Sequence, residues 1–294
     1  YFGPPLLLHI ARDIDRGRKA IVSDFWSGFD ELYASMVSGR CVVAAESLFR
    51  SEQFYYQVGI EVPFLRPMSV WVNATYSPRV YEGRSPLVGQ VLVHNRGRLR
   101  YEPSFIRILS LMAGSTFQYE FVAQFGKMLP FEDIAGFHAV VILPWSPELC
   151  ILRNIFKMRV PMFLPDRSLL RNLVHISNQR LLPAQYYLQH PKLNSAVMKS
   201  MHPYDPFLDT ARPAADPVGV AARAYWAEYS EYLMVPLLQH FKGAADLLVA
   251  LSVMEGKKLS SRMRAAYLQD MEEMRAFWAE CLLQLVGFTF AGAA

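Results

Sequence analysis

HAVVILPWSPELCILRNIFKMRVPMFLPD, residues 138–166, decides how this chain is read. AVVIL is apolar without alternation and ends at a proline, as expected of a strand covered on both faces. Ser146-Pro147-Glu148 then carries a helix-start signal: serine as N-cap, proline at the first helical position and an acid in the first turn. SPELCILRNIFKMR continues with helical spacing, and VPMFLPD returns to a short apolar run. Strand, helix and strand with short connections predict a right-handed crossover and a parallel sheet.

Working outward, the same alternation precedes this stretch. GQVLVHNR (89–96) reads as a strand, EPSFIRILSLMAG (102–114) as a helix, FQYEFVAQF (117–125) as a strand and FEDIAGF (131–137) as a short helix. A shorter series lies further N-terminal. Its strands are KAIVSDFW (19–26), CVVAAE (41–46) and VPFLRP (62–67), separated by the helical GFDELYASMV (28–37) and SEQFYYQVG (51–59). NATYSPRVYEGRSP (73–86) is rich in turn residues and reads as a linker.

After Asp166 the chain turns to helices and irregular segments. RSLLRNLVHISNQR (167–180), VGVAARAYWAEYSEYLM (218–234) and KGAADLLVALSVM (242–254) are helical, and HPYDPFLDTARPAADP (202–217) is irregular. Residues 259–287 form an amphipathic helix with an apolar stripe of 3.6 period, expected to lie across both series. Tyr225, Tyr229 and Tyr232 share one face by helical spacing, a helix interface rather than a ligand platform.

Composition bounds the function. The 294 residues are 52% hydrophobic and 19% charged, with a net charge of +4. That suits a folded protein with an anionic small-molecule ligand and argues against a nucleic-acid partner. Cys41, Cys150 and Cys281 are far apart and read as buried thiols, with one disulfide left open. The seven histidines show no metal-ligand spacing, and Asp13-Ile14-Asp15 falls in a charged stretch that reads as surface, so no metal is expected. No apolar run approaches the ~20 residues of a membrane span. A start at Tyr1 rather than Met reads as a fragment, which leaves the compartment open between the cytoplasm and the Golgi or secretory lumen.

Ligands of open α/β sheets bind beyond the carboxyl ends of the strands. In the second series that rule selects Asn95, Arg96, Lys127, Ser146 with its neighbours Trp145 and Glu148, and Asp166. Free amides at the Ser146 helix start would receive an anion, with Arg96 and Lys127 as countercharges. In the first series the rule selects Asp24 and Glu46, each a candidate general base. GxSxG, GxGxxG and the phosphate-loop pattern are absent, which disfavours hydrolase, dinucleotide and ATP chemistry.

The order VLVHNR, helix, FQYEFVAQF, AVVILP, Ser-x-Glu turn, helix, VPMFLPD resembles the donor-binding lobe of GT-B glycosyltransferases, over about residues 86–255. The resemblance implies two Rossmann-like lobes with parallel sheets: residues 1–80 as a shortened acceptor-side lobe, 81–256 as the donor lobe and 257–294 as a helix packing across them. It implies glycosyl transfer from a nucleotide sugar to an unspecified acceptor, without cofactor or metal. Arg96 and Lys127 would hold the diphosphate, and Ser146 would face the donor. Retaining members carry Glu, seven residues, Glu across this region; this chain has Ser146 and Asn154 there, so the pattern is not kept. Asn154 and Glu148 would then stand near the ribose or sugar. The alternative is a non-catalytic module of the same architecture that works in assembly, with self-association left open.

Overall fold

An apolar run with no polar alternation is satisfied only by a sheet covered on both faces, and such a sheet forms around residues 138–166. The computed structural model describes residues 20–58, 60–79, 89–94, 102–116, 119–124, 129–143, 150–176, 202–204 and 217–291. These fall into two compact units. One comprises the described residues of 20–66, 202–204 and 270–291; the other comprises those of 67–176 and 217–269.

In the first unit, α1 (Ala20–Val37) and α2 (Leu48–Val58) flank an extended segment. Ser47 caps α2, its Oγ accepting the Arg50 N–H at 3.1 Å. Ala45 forms an isolated parallel bridge with Phe64. Two expectations are corrected here. KAIVSDFW is not a strand but the start of α1, because its apolar residues belong to a longer helical pattern (Val22, Phe25, Trp26, Phe29, Leu32, Tyr33, Met36). CVVAAE and VPFLRP meet only at that one bridge among the described residues.

The second unit alternates β1 (Gly89–His94), α3 (Glu102–Thr116), β2 (Tyr119–Gln124), α4 (Phe131–Ala135), β3 (Ala139–Ile142), α5 (Cys150–Met158) and β4 (Met162–Pro165). There follow α6 (Arg167–Ile176), α7 (Pro217–Ala227), α8 (Glu231–Met234), β5 (Gln239–Phe241), α9 (Ala244–Ser252) and the long α10 (Gly256–Ala291), of which this unit holds the part up to Gln269. The strands pair in the order β2-β1-β3-β4-β5, all parallel. Val91 lies between Phe121 and Ala139, and Val140 opposite Met162.

β3 and β4 are buried at every position. On one face Ala139, Val141 and Leu143 pack with Leu109 and Ala113 of α3, Phe163, Phe241, and Leu247, Leu248 and Leu251 of α9. Val140 and Ile142 alternate to the other face and are equally buried. Burying each such side chain is worth about 1.5–3 kcal/mol, so this pair of strands anchors the unit.

Two further readings change. QHF (239–241) adds a fifth strand after α8, in a region read as helices and loops. The helix expected over 218–234 breaks at Glu228–Ser230, where the N–H groups of Glu228, Tyr229 and Ser230 bond three residues back. The Ser230 hydroxyl takes the Ala227 carbonyl, the local competition by which serine interrupts helices. The Tyr225 and Tyr229 hydroxyls meet at 3.1 Å, and Trp226 and Tyr232 are fully buried, but with the break Tyr225 and Tyr232 lie on different helices and the three tyrosines do not share one helical face.

Residues 67–79 dock against the amino edge of the sheet. The N–H groups of Tyr76, Ser77 and Arg79 donate to the carbonyls of Met158, Ala135 and Gly136 at 2.8, 2.9 and 3.0 Å. They thereby satisfy carbonyls that the ends of α4 and α5 leave over. The Tyr76 hydroxyl donates to the His138 carbonyl at 3.0 Å, and Tyr119 donates to the Leu251 carbonyl at 2.8 Å. In α10, Leu259, Met263 and Tyr267 form the buried stripe of this unit, and the Tyr267 hydroxyl donates to the Met68 carbonyl at 3.0 Å.

Gly256 fixes the approach of α10, since a Cβ there would lie 2.5 Å from the Tyr76 hydroxyl. Gly256→Ala should therefore cost about 1–3 kcal/mol in urea melts, the usual range for overpacking. Burial pushes the Tyr76 phenol up to about 12. The unfolded chain then loses that proton first, so its stabilising contribution is intact below pH 10 and is lost as pH rises toward 12. Tyr76→Phe should flatten the alkaline limb of a stability–pH profile, and an unchanged slope would assign that limb elsewhere.

Candidate functional site

In a doubly wound sheet the ligand crevice opens at the carboxyl edge, where consecutive connections leave in opposite directions. With order β2-β1-β3, that switch lies between β1 and β3. The strands end at His94 and Ile142. Asn95, Arg96, Trp145, Ser146 and Glu148 follow those ends in the chain, and Lys127 follows β2. All six lie outside the described residues.

Two of the expected donor-side residues are described. Asp166 follows β4 directly. Its Oδ1 accepts the Leu169 N–H at 2.7 Å, capping α6, and its own N–H donates to the Phe241 carbonyl at 2.8 Å. It therefore starts a helix and ties β4 to β5. Asn154 sits in the second turn of α5, 7% exposed, and its Oδ1 has no hydrogen-bond partner among the described residues. A buried amide oxygen without a donor costs about 1–3 kcal/mol.

Beside it lies a buried ion pair. Arg153, adjacent on α5, contacts Glu231 at the start of α8, and each is 7% exposed. Glu231 Oε2, like Asn154 Oδ1, finds no hydrogen-bond donor among the described residues. Around these groups on α5, Leu152, Ile155 and Met158 are fully buried, with Ile151 and Phe156 nearly so. A helix buried in this way must answer for each buried polar group that it carries.

Glu228 forms an exposed clamp, its two carboxylate oxygens meeting Arg167 at 3.2 Å and Arg171 at 2.9 Å. His240 and Lys242 were missed in the sequence because β5 was missed. The Lys242 side chain is exposed at the carboxyl end of β5, and its N–H donates to Asp246 Oδ2 at 2.8 Å. His240 Nδ1 lies 3.4 Å from the Pro165 carbonyl. The readable signal was QHFK before Gly243-Ala244-Ala245-Asp246, a short run followed by a helix start with an acid in its first turn.

The acceptor-side candidates belong to the other unit. Asp24 lies within α1 and not at a strand end, a correction that follows from the helical reading of KAIVSDFW. Glu46 is half-buried, next to the bridging Ala45 and the capping Ser47. Cys41 and Cys281 are free thiols. No family model, curated protein or solved structure matches the chain. Among the described residues, no helix is long and apolar enough to cross a membrane.

The Arg153–Glu231 pair carries its own prediction. Glu231→Gln or Arg153→Met alone should cost about 3–5 kcal/mol, because each strands a buried charge. The double replacement Arg153→Met/Glu231→Leu should come within about 1 kcal/mol of the parent or exceed it. Chemical denaturation of the four proteins measures the coupling, and additive losses would show that the two groups do not depend on each other.

Proposed function

We propose that this protein transfers a sugar from a nucleotide-sugar donor, holding the diphosphate at the β1/β3 switch. The observation that carries the reading is the strand order β2-β1-β3-β4-β5 in an all-parallel sheet, which directs the segments beginning at Asn95 and Pro144 to a common edge. In this reading Arg96 and Lys127 supply positive charge, and the helix start expected from Ser146-Pro147-Glu148 supplies backbone donors. These groups neutralise the leaving diphosphate, and stabilisation by fixed donors and charges needs no covalent step from the protein. Asn154, whose amide oxygen lacks a donor among the described residues, supports a role in accepting a hydrogen bond from a ligand hydroxyl. Glu148 and Trp145 complete the donor side. Glu46 is the acceptor-side base in this reading, since Asp24 lies inside a helix.

A second reading, a non-catalytic module of the same architecture, is favoured by two specific placements. Asp166 is engaged as a helix cap, and Asp24 stands away from any strand end. Both readings keep the anion-receiving edge; they differ in whether an acceptor is activated.

Thermal-shift titration with uridine, guanosine, adenosine and cytidine diphosphates decides the donor side. A nucleotide at 100 times its dissociation constant should add about 2.7 kcal/mol to stability. Arg96→Ala should abolish the shift, while Asn154→Ala should weaken binding about tenfold, the loss of one hydrogen bond to a ligand. A shift without nucleotide-sugar turnover supports the module. Absence of a shift with all four nucleotides rejects a nucleotide site at this edge.

A further inference from the structure

On the opposite edge of the sheet from the proposed donor site, α5 ends in two cations and α10 adds a third, none of them with a carboxylate partner among the described residues. Lys157 and Arg159 lie at and just beyond the end of α5, leading into β4. Lys157 Nζ sits 4.4 Å above the centre of the Tyr267 ring. Arg264, one turn before Tyr267 on α10, shares that helix face. The Arg159 guanidinium donates to Thr75 Oγ1 at 2.9 Å. None of the three enters an ion pair among the described residues. Asp270, the next acid along α10, is held by Arg66 at 2.5 Å.

The arrangement works against the stability of the protein in two ways. Arg159 occupies a left-handed conformation, φ 65°, as the residue that closes α5. Its N–H bonds to Phe156 and that of Val160 bonds to Ile155, the Schellman pattern, a position where glycine is strain-free. A second cost is electrostatic. Burial, and then the charge of Arg264, lower the Arg159 pKa. The carbonyls at the α5 terminus favour Lys157 and Arg159, but they do not account for Arg264. A strained arginine exposed to the charge of a second arginine, with no ion pair to either among the described residues, is organised for an anion that is not part of this unit. Tyr267, itself tethered to the Met68 carbonyl, and Thr75 hold Lys157 and Arg159 in place.

We infer that Lys157, Arg159 and Arg264 form a binding site for a phosphate group, distinct from the carboxyl-edge site and independent of the glycosyl-transfer reading. Two guanidinium forks and an ammonium match the charge of a phosphate monoester or diphosphate, and that chemistry is shared by soluble phosphates and lipid headgroups. The test uses the full chain and two probes: inorganic pyrophosphate by calorimetry, and phosphatidylcholine vesicles doped with phosphatidic acid by flotation, against undoped vesicles. At least one probe should bind, and Arg264→Gln and Arg159→Gly should each weaken it about tenfold or more, the loss of one charge-assisted hydrogen bond. Arg275→Gln, which removes a cation paired with Glu272, should leave binding unchanged. Arg159→Gly should also hold or raise the melting temperature, which separates lost binding from lost folding. Pyrophosphate binding alone identifies a soluble phosphate as the ligand, and binding confined to doped vesicles identifies a headgroup. Failure of both probes, or binding that survives both substitutions, overturns the site. Arg96→Ala should leave this binding intact, so its result is separable from that of the carboxyl-edge site.

Discussion

Burial of β3 and β4 on both faces is the constraint from which the rest of the sheet unit follows. Neither strand offers a polar side chain to water, so each face needs a helical layer. α3 and α9 meet the face that includes Val141 and Phe163. Covering both faces in a parallel sheet means returning the chain through helical crossovers, and right-handedness then restricts where each helix lies. The switch between β1 and β3 is a by-product of that winding. A switch in strand order thus arises from packing before any ligand is considered.

The two edges of the sheet are treated differently. At the amino edge, residues 76–79 satisfy carbonyls at the ends of α4 and α5, and tyrosine hydroxyls take the carbonyls of His138 and Leu251. Backbone groups there are closed off by the protein itself. At the carboxyl edge, the described acids Asp166 and Asp246 are used up in capping. Within α5 and at the start of α8, Asn154 and Glu231 each keep a buried oxygen without a donor among the described residues. The three cations at the amino edge enter no ion pair among the described residues, and that is what marks them out.

The buried pair between Arg153 and Glu231 links these themes. It fixes the four-residue α8 against α5, and α8 in turn delivers the chain to β5. Apolar residues of equal volume would pack at similar or lower free energy. What the ion pair adds is direction, since only one placement of α8 brings its acid to the arginine.

Much of the second unit was legible from local pattern. AVVIL, PMFLP and VLVH declared strands by composition, and EPSFIRILSLMAG declared a helix, which runs two residues further to Thr116, because these depend on residues a few positions apart. KAIVSDFW misled because a window of eight residues hid an eighteen-residue helix. β5 showed in the sequence only as a short run before a helix start, since QHF has no strand pattern of its own; it becomes a strand by pairing Gln239 and Phe241 with Phe163 and Pro165. The sequence by itself determined which segments of the sheet unit must be buried and that its strands run parallel, since helical crossovers between short apolar runs permit little else. Only the tertiary structure decided the strand order, the fifth strand, the docking of residues 67–79 and the gathering of Lys157, Arg159 and Arg264. Each of those depends on contacts between residues far apart in the chain, whose energies no local pattern records.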